Sequence, residues 1–438
     1  MASTRLQRTV SSTTNTNIWT YSAWFKRGNL NINDALLLGT FSSTFELIRI
    51  NSSNQLFYNL YDGSTGYEKI TNQLFRDVSA WYNLVISRNG STVNIYVNGE
   101  LVTDYATNNT FPTTGYFNTA SRTVTVGGRS DDTNYFDGSM THVHFIDGTV
   151  YDASAFGETD ATTGIWKAKT APSVTYGTNG FFLKFENSGS MGTDSSGNAN
   201  NFTVNGTMTQ TIDTPSNVFA TMNPLDNYYA QSTFSNGNLN VVTGTTQYSS
   251  NSGTLGVSQG KWYWEIEYDS GTNLGHIGIK SQQDTATDQG LGTKPTDWGY
   301  RAFNGDYYNN ASSTSYGNTY TNGDIISVAL DLDNNKLYFA KNGTWQNSGD
   351  PTSGATGTGA ISITDPASTE YGFYLPAFSH QDGSSTGTFK CNFGNGYFGT
   401  TAVASAQNPD DGIGIFEYAV PTGYKALCTK SINAQEYD

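Results

Sequence analysis

The sequence predicts an all-β protein made of two β-sandwich domains in tandem, and three observations carry that expectation. One pattern occurs twice: residues 82–100 (YNLVISRNGSTVNIYVNGE) and 324–345 (DIISVALDLDNNKLYFAKNGTW) each hold an alternating apolar run, a short polar turn, a second alternating run and an Asn-Gly pair. Period-two alternation closed by Asn-Gly spells antiparallel hairpins, because Asn and Gly reach the positive φ that such turns need. Aromatic residues make up 14% of the chain and charged residues only 13%, with Gly, Ser, Thr and Asn dominating the rest. Aromatic and β-branched side chains supply area to bury, whereas the small polar residues loosen helices. Strand-length apolar runs also recur about once per dozen residues with Gly or Asn turns between them, the rhythm of a sandwich.

Strand signals begin at NIWTYSAWFKR, where Trp19, Tyr21, Ala23 and Phe25 share one face and Thr20, Ser22 and Trp24 the other. ALLLGTF, FELIRI, QLFYNLY, WYNLVIS, VNIYV, TVTVGG and MTHVHFID follow. A short helical period is confined to residues 151–160. After FFLKFE (181–186) the texture turns to Gly, Asn and Ser, and then to a stretch holding Pro215 and Pro224, which fix φ and favour an extended connector. KWYWEIEYD, HIGIK, DIISVALDL, KLYFAKNG, YGFYLPAF and TFKCNFG then rebuild a second sandwich. The expected divisions are a first sandwich with its closing segment over 1–212, a connector over 213–230, a second sandwich over 231–405, and a C-terminal strand and polar tail over 406–438.

The net charge of −15, with no basic cluster longer than Lys26-Arg27, repels a nucleic-acid backbone. The N-terminal MASTRLQRTVSS lacks an apolar segment of signal-peptide length, and no apolar run approaches the roughly 20 residues that span a bilayer. A soluble product made in the cytosol is expected, without membrane insertion. Cys391 and Cys428 stand far apart and form no Cys-x-x-Cys, so two reduced, buried thiols are expected. There is no Gly-x-Ser-x-Gly elbow, phosphate-cradling loop or dinucleotide fingerprint.

With these elements on the page, the first half, through TYSAWFKR, FRDVSAWYNLVISRNGSTVNIYVNGE and YFDGSMTHVHFIDGT, resembles a laminin-G-like, concanavalin A-type jelly roll. The second half, through GKWYWEIEYD, HIGIK, NGDIISVALDLDNNKLYFAKNGTW and YGFYLPAFS, resembles a SPRY domain, itself a concanavalin A-like sandwich. Their combination with the linking segments, over nearly the whole chain, is similar to virion appendage proteins of marine tailed bacteriophages. That resemblance implies a structural protein on the virion surface, made in the host cytoplasm and assembled with other virion proteins. It implies a homo-oligomer, with a trimer as the guess, that attaches to a host-surface glycan or protein receptor as a tail fibre, tail tip or knob. A capsid decoration or purely architectural role is the alternative. The first sandwich starts within about twenty residues of Met1, fewer than an anchoring domain needs, so attachment to the particle is expected through the arm, sandwich surfaces or a separate stalk protein.

No catalytic residue and no cofactor is expected. The enzymatic alternative is a glycan depolymerase using Glu265 and Glu267, since Glu265, Glu267 and Asp269 share one strand face as the acids of concanavalin-like glucanases do. Retention needs carboxyl groups about 5 Å apart, closer than i and i+4 along a regular strand, and a row of solvated acids is the plainer reading. His142 and His144 share a strand face with Asp137 and Asp147 nearby, but two ligands do not make a zinc site. Calcium is the one ion the laminin-G resemblance makes plausible, at Asp131, Asp132 and Asp137. For recognition, aromatic side chains flanked by amides and hydroxyls suit a sugar's apolar face and hydroxyl rim. The richest stretch, 297–320, nominates Trp298, Tyr300, Tyr307, Tyr308, Tyr316 and Tyr320 as ligand-binding residues; packing of the same rings in the core or at an interface is the alternative.

Overall fold

The computed structural model describes residues 4–30, 32, 34–162, 164–227, 232–245, 248–283, 290–381 and 384–436. It is nearly all β, as expected, and comprises two compact units: Met1–Gln210 with Thr214–Ser216, and Thr211–Asp213 with Asn217–Asp438.

In the first unit, eight antiparallel strands run in the spatial order Tyr105–Asn108, Gly66–Leu74, Gln55–Tyr61, Phe45–Ile50, Ala35–Phe41, Thr123–Val126, Arg5–Thr9, Thr203–Asn205. A second sheet is ordered Phe181–Leu183, Gly138–Asp147, Ile18–Arg27, Trp81–Asn89, Thr92–Val97, Glu100–Leu101. Trp19, Tyr21, Ala23 and Phe25 all enter the core between the sheets, as their alternation predicts, and the Trp19 ring meets Tyr58, Phe117 and Phe145 at centroid distances of 5.8, 5.3 and 5.9 Å. Their neighbours Thr20, Ser22 and Trp24 are buried as well. The reason is a covering layer: Ala153, Phe156, Trp166 and Tyr176 pack on Val85 and Ile146, while Thr20 donates to the Thr149 carbonyl at 2.9 Å. Within 151–160 the structure holds a single 3-10 turn, Ala153–Ala155, and the strand Gly157–Thr159 in place of a longer helix.

In the second unit, the larger sheet runs Thr233–Ser235, Asn240–Val242, Thr388–Asn392, Lys261–Ser270, Asp324–Asp331, Lys336–Lys341, Thr344–Trp345. Facing it is a sheet ordered Ser249–Ser252, Leu375–His380, Gly275–Lys280, Asp297–Arg301, Asp306–Asn309, Ser312–Ser315. Trp262, Trp264, Ile266 and Tyr268 point into the core from one face of their strand. The opposite face is covered by the C-terminal segment, with Phe416, Tyr424, Ala426 and Cys428 packed on Tyr263, Ala329 and Tyr338. Residues 406–438 therefore differ from the expected strand and polar tail. Among the described residues of this segment, Lys425–Ala426 pairs as a strand, parallel to Lys261–Ser270, and Thr429–Glu436 forms an α-helix with Ile432 against the core. Part of the expected connector is likewise interior, since Phe219, Ala220 and Met222 are buried; its residues 228–230 lie outside the described residues. Cys391 and Cys428 are buried and unbridged.

Candidate functional site

The strand Asp297–Arg301 (DWGYR) sends Trp298 and Tyr300 into the core, so Gly299 and Arg301 face outward. The next strand pairs Gly299 with Tyr308 and Tyr300 with Tyr307, and the edge strand Ser312–Ser315 sets Ser313 opposite Tyr308. The same alternation puts Asp306, Tyr308 and Ser313 on the outer face with Arg301. Arg301 and Asp306 flank the turn 302–305, where Ala302 is buried and Phe303 is 44% exposed.

Arg301 organises this surface. Its guanidinium carbon lies 4.5 Å from the Phe303 ring centroid and 4.4 Å from that of Tyr308, so aromatic rings occupy its faces. Its Nη1 donates to Ser313 Oγ at 2.6 Å and its Nε to His276 Nε2 at 3.2 Å. Burial pushes the His276 imidazole down to about 3. The ring is thus neutral at ordinary pH, accepting through Nε2 while Nδ1 donates to the Leu291 carbonyl at 2.9 Å. Among the described residues no partner meets Arg301 Nη2, and no carboxylate stands within ion-pair distance of this guanidinium. Across the turn, Asp306 Oδ2 accepts from Asn304 Nδ2 at 2.6 Å. An aromatic ring open to solvent, an oriented donor and a nearby carboxylate acceptor are groups that can hold a polar ring compound.

Of the six aromatic residues nominated from sequence, Trp298, Tyr300, Tyr316 and Tyr320 are core residues, which corrects their assignment as ligand contacts. Tyr320 bonds the carbonyls of Gly275 and Tyr300 (both 2.9 Å), and Tyr316 accepts from the Phe339 amide at 3.2 Å. Tyr307 packs half-buried against the same core, and Tyr308 alone of the six belongs to the outer platform. Sequence reasoning missed Arg301, Phe303, Asp306, Ser313 and His276. A usable signal existed, because Arg301 is the one arginine after residue 210 and the alternation that buries Trp298 and Tyr300 turns it outward.

The acids on Lys261–Ser270 do not form an open row. Glu265 is fully buried beneath the C-terminal segment, where it accepts from the amides of Glu417 and Tyr418 (both 2.9 Å), from Tyr263 Oη (2.9 Å) and from Asn392 Nδ2 (3.2 Å). Burial raises its carboxyl to about 7 against the opposing pull of those donors. Lys390 contacts Asp269 directly and Glu267 at 3.6 Å. The expectation of solvated acids is thus corrected for Glu265, because the overlying segment carries no period that would announce it.

His142 occupies a bulge with φ +48°, and His144 stacks on Phe182 with centroids 3.9 Å apart while its Nδ1 meets Tyr176 Oη at 2.9 Å. Asp131 is paired with Arg129 (2.6 Å), Asp132 with Arg5 and Tyr135, and Asp137 with Asn29. Asp147 binds Thr14 and the Asn179 amide. The described residues contain no group of three or more His, Cys, Asp or Glu side chains gathered as a metal centre.

Comparison with known proteins gives two family matches, each to part of the chain. Residues 3–154 match a model of the concanavalin A-like lectin/glucanase superfamily (laminin G type), and residues 261–364 match the SPRY domain. No curated protein sequence matches. Among solved structures, the SPRY domain of human HERC1 is similar at 20% identity, covering 39% of this chain and 96% of its own, with a TM-score of 0.30. A second human SPRY domain is similar at 19% identity over 35% of this chain and 90% of its own, TM-score 0.26. A heptameric pentraxin from Limulus polyphemus is similar at 14% identity over 34% of this chain and 71% of its own, TM-score 0.26.

Proposed function

Starting from a concanavalin A-like module followed by a SPRY module, we propose that the chain is a non-catalytic attachment protein, carried in several copies on the surface of a tailed-phage particle, where it holds a host-surface glycan. The observation that carries this reading is the outward platform of Arg301, Phe303, Asp306 and Tyr308, whose guanidinium is locked by two rings, Ser313 and His276. A pre-oriented polar group beside an exposed ring binds sugars weakly per site, and repetition on a particle converts that into avidity. The burial of Glu265 beneath backbone amides supports a mechanism without hydrolysis over a Glu265/Glu267 depolymerase. A capsid-decoration or architectural role is the second reading, favoured by the small extent of the platform once four of the six nominated rings belong to the core.

The test is adherence of the purified chain to host cells, with Phe303→Ala as the comparison and with the chain located on the particle by cryo-electron microscopy. Adherence that falls with Phe303→Ala, and density at an exposed tip, is the expected outcome. No adherence, with density between neighbouring capsid proteins, would transfer the assignment to decoration.

A further inference from the structure

Resting on the attachment reading, we infer that the Arg301 platform takes a neutral, hydroxyl-bearing pyranose and discriminates against acidic sugars. The inference comes from how donors, acceptors and charge are distributed around one side chain. The guanidinium is held against the Phe303 and Tyr308 rings at 4.5 and 4.4 Å, and Nε and Nη1 each donate one hydrogen bond, to His276 and Ser313. What remain are both N–H groups of Nη2 and the second N–H of Nη1. The side-on fork of Nε and Nη2 that a carboxylate or sulfate can use is closed, because His276 already holds the single Nε proton.

Asp306 decides the sign of the ligand. It stands across the turn from Arg301 on the same outer face of the hairpin, with Oδ2 held by Asn304 and Oδ1 without a partner among the described residues. A hydroxyl can accept from Arg301 and donate to Asp306, whereas a carboxylate has no proton to give and meets Asp306 as a like charge. The surroundings act in the same sense, for residues 211–438 carry 9 basic against 21 acidic side chains, a net charge of −12. Phe303, with one face on the guanidinium and the residue 44% exposed, offers the apolar surface on which the C–H face of a pyranose rests.

The experiment measures binding of the full chain to a panel of neutral hexose oligosaccharides, a polyuronate and a sulfated glycan at low and moderate salt, alongside adherence to host cells. Binding confined to neutral sugars and nearly independent of salt is expected. Asp306→Asn should weaken it about tenfold or more, the range of one charge-assisted hydrogen bond, and Phe303→Ala should weaken it through loss of the apolar contact. Circular dichroism of both variants checks that the fold is intact. Preference for the polyuronate or sulfated glycan, falling steeply with salt and improved by Asp306→Asn, overturns the inference while leaving glycan attachment standing. Adherence to cells with no binding to any glycan overturns it in favour of a protein receptor. Neither adherence nor glycan binding defeats the attachment reading and this inference together.

Discussion

Glu46 and Glu265 are buried carboxylates that each accept two consecutive backbone amides, from Tyr116 and Phe117 in one case and from Glu417 and Tyr418 in the other. They differ in counter-charge. Glu46 pairs with Arg88 at 2.8 Å, both side chains fully buried, with Tyr58 Oη at 2.7 Å from Glu46, the Pro112 and Thr114 carbonyls taking the two Nη2 protons (both 2.6 Å) and the Gly90 carbonyl the Nε proton (3.1 Å). Removing one partner of such a pair strands a buried charge, so Arg88→Met should destabilise the first unit by about 3–5 kcal/mol in urea unfolding. Adding Glu46→Gln should recover part of that loss; no recovery would mean that packing and not charge sets the cost. Glu265 has amide and hydroxyl donors and no ion-pair partner among the described residues, and its carboxyl rises to about 7. Neither environment was legible in sequence, because Glu46 in FELIRI and Glu265 in WYWEIEYD look like ordinary polar positions of alternating strands. The donors that decide their chemistry come from segments 70 and 152 residues away.

At the scale of elements, the repeated hairpin shows what was readable and what was not. Both Asn-Gly turns adopt the paired positive φ that the sequence predicts, 49° and 87° at Asn98-Gly99 and 48° and 78° at Asn342-Gly343. In each, the turn asparagine bonds back to the first strand through its side chain, accepting from the Asn83 amide at 2.8 Å and from the Ile325 amide at 2.9 Å. The covering segments were not readable. A Cβ on Gly99 would lie 2.6 Å from the Trp166 ring, and one on Gly343 would lie 2.6 Å from Tyr418, so each turn receives an aromatic ring from the layer over its sheet. Such segments lack a period because they are ordered by docking and not by pairing. Gly90, with φ +62° and open space around it, separates the two effects. Gly90→Ala should cost only the backbone strain, about 1 kcal/mol, whereas Gly99→Ala should cost at least about 1 kcal/mol more because Trp166 must move. Equal losses in thermal unfolding would show that Trp166 yields freely. By the same logic, Glu265→Gln places an amide donor against one of two backbone N–H groups. Hydrogen exchange at Glu417 and Tyr418 should accelerate, with about 1–3 kcal/mol lost if the segment opens with the unit; unchanged exchange would show that apolar packing alone holds it.

At the scale of the molecule, the two units have separate cores and different buried ionisable groups, so acid should act on them unequally. In the first unit, burial lowers His142 and His144 below the ordinary histidine value. A histidine depressed on folding contributes stability that is present above its unfolded value near 6.5 and is lost as pH falls toward the folded value. Asp137, raised by burial, opposes them by making the folded form the better proton acceptor. In the second unit, where His276 and His380 are both buried, His276 is lowered to about 3 and stands against two raised glutamates, Glu265 at about 7 and Glu267. A raised carboxyl contributes stability that is full below its unfolded value near 4.5 and is lost as pH rises through the folded value, so the Glu265 contribution runs against that of His276 between about 4.5 and 6.5. Each unopposed proton is worth about 1.4 kcal/mol per pH unit. Fragments 1–216 and 211–438, unfolded separately in urea from pH 7 to pH 5, should therefore diverge, the first losing stability more steeply than the second, in which the gain at Glu265 offsets loss at a buried histidine. His144→Phe should flatten the first profile, because Phe182 and Tyr176 would then flank a ring that cannot take up a proton. Parallel acid loss in both fragments would refute this assignment of the slope to the buried histidines and return it to the surface carboxylates.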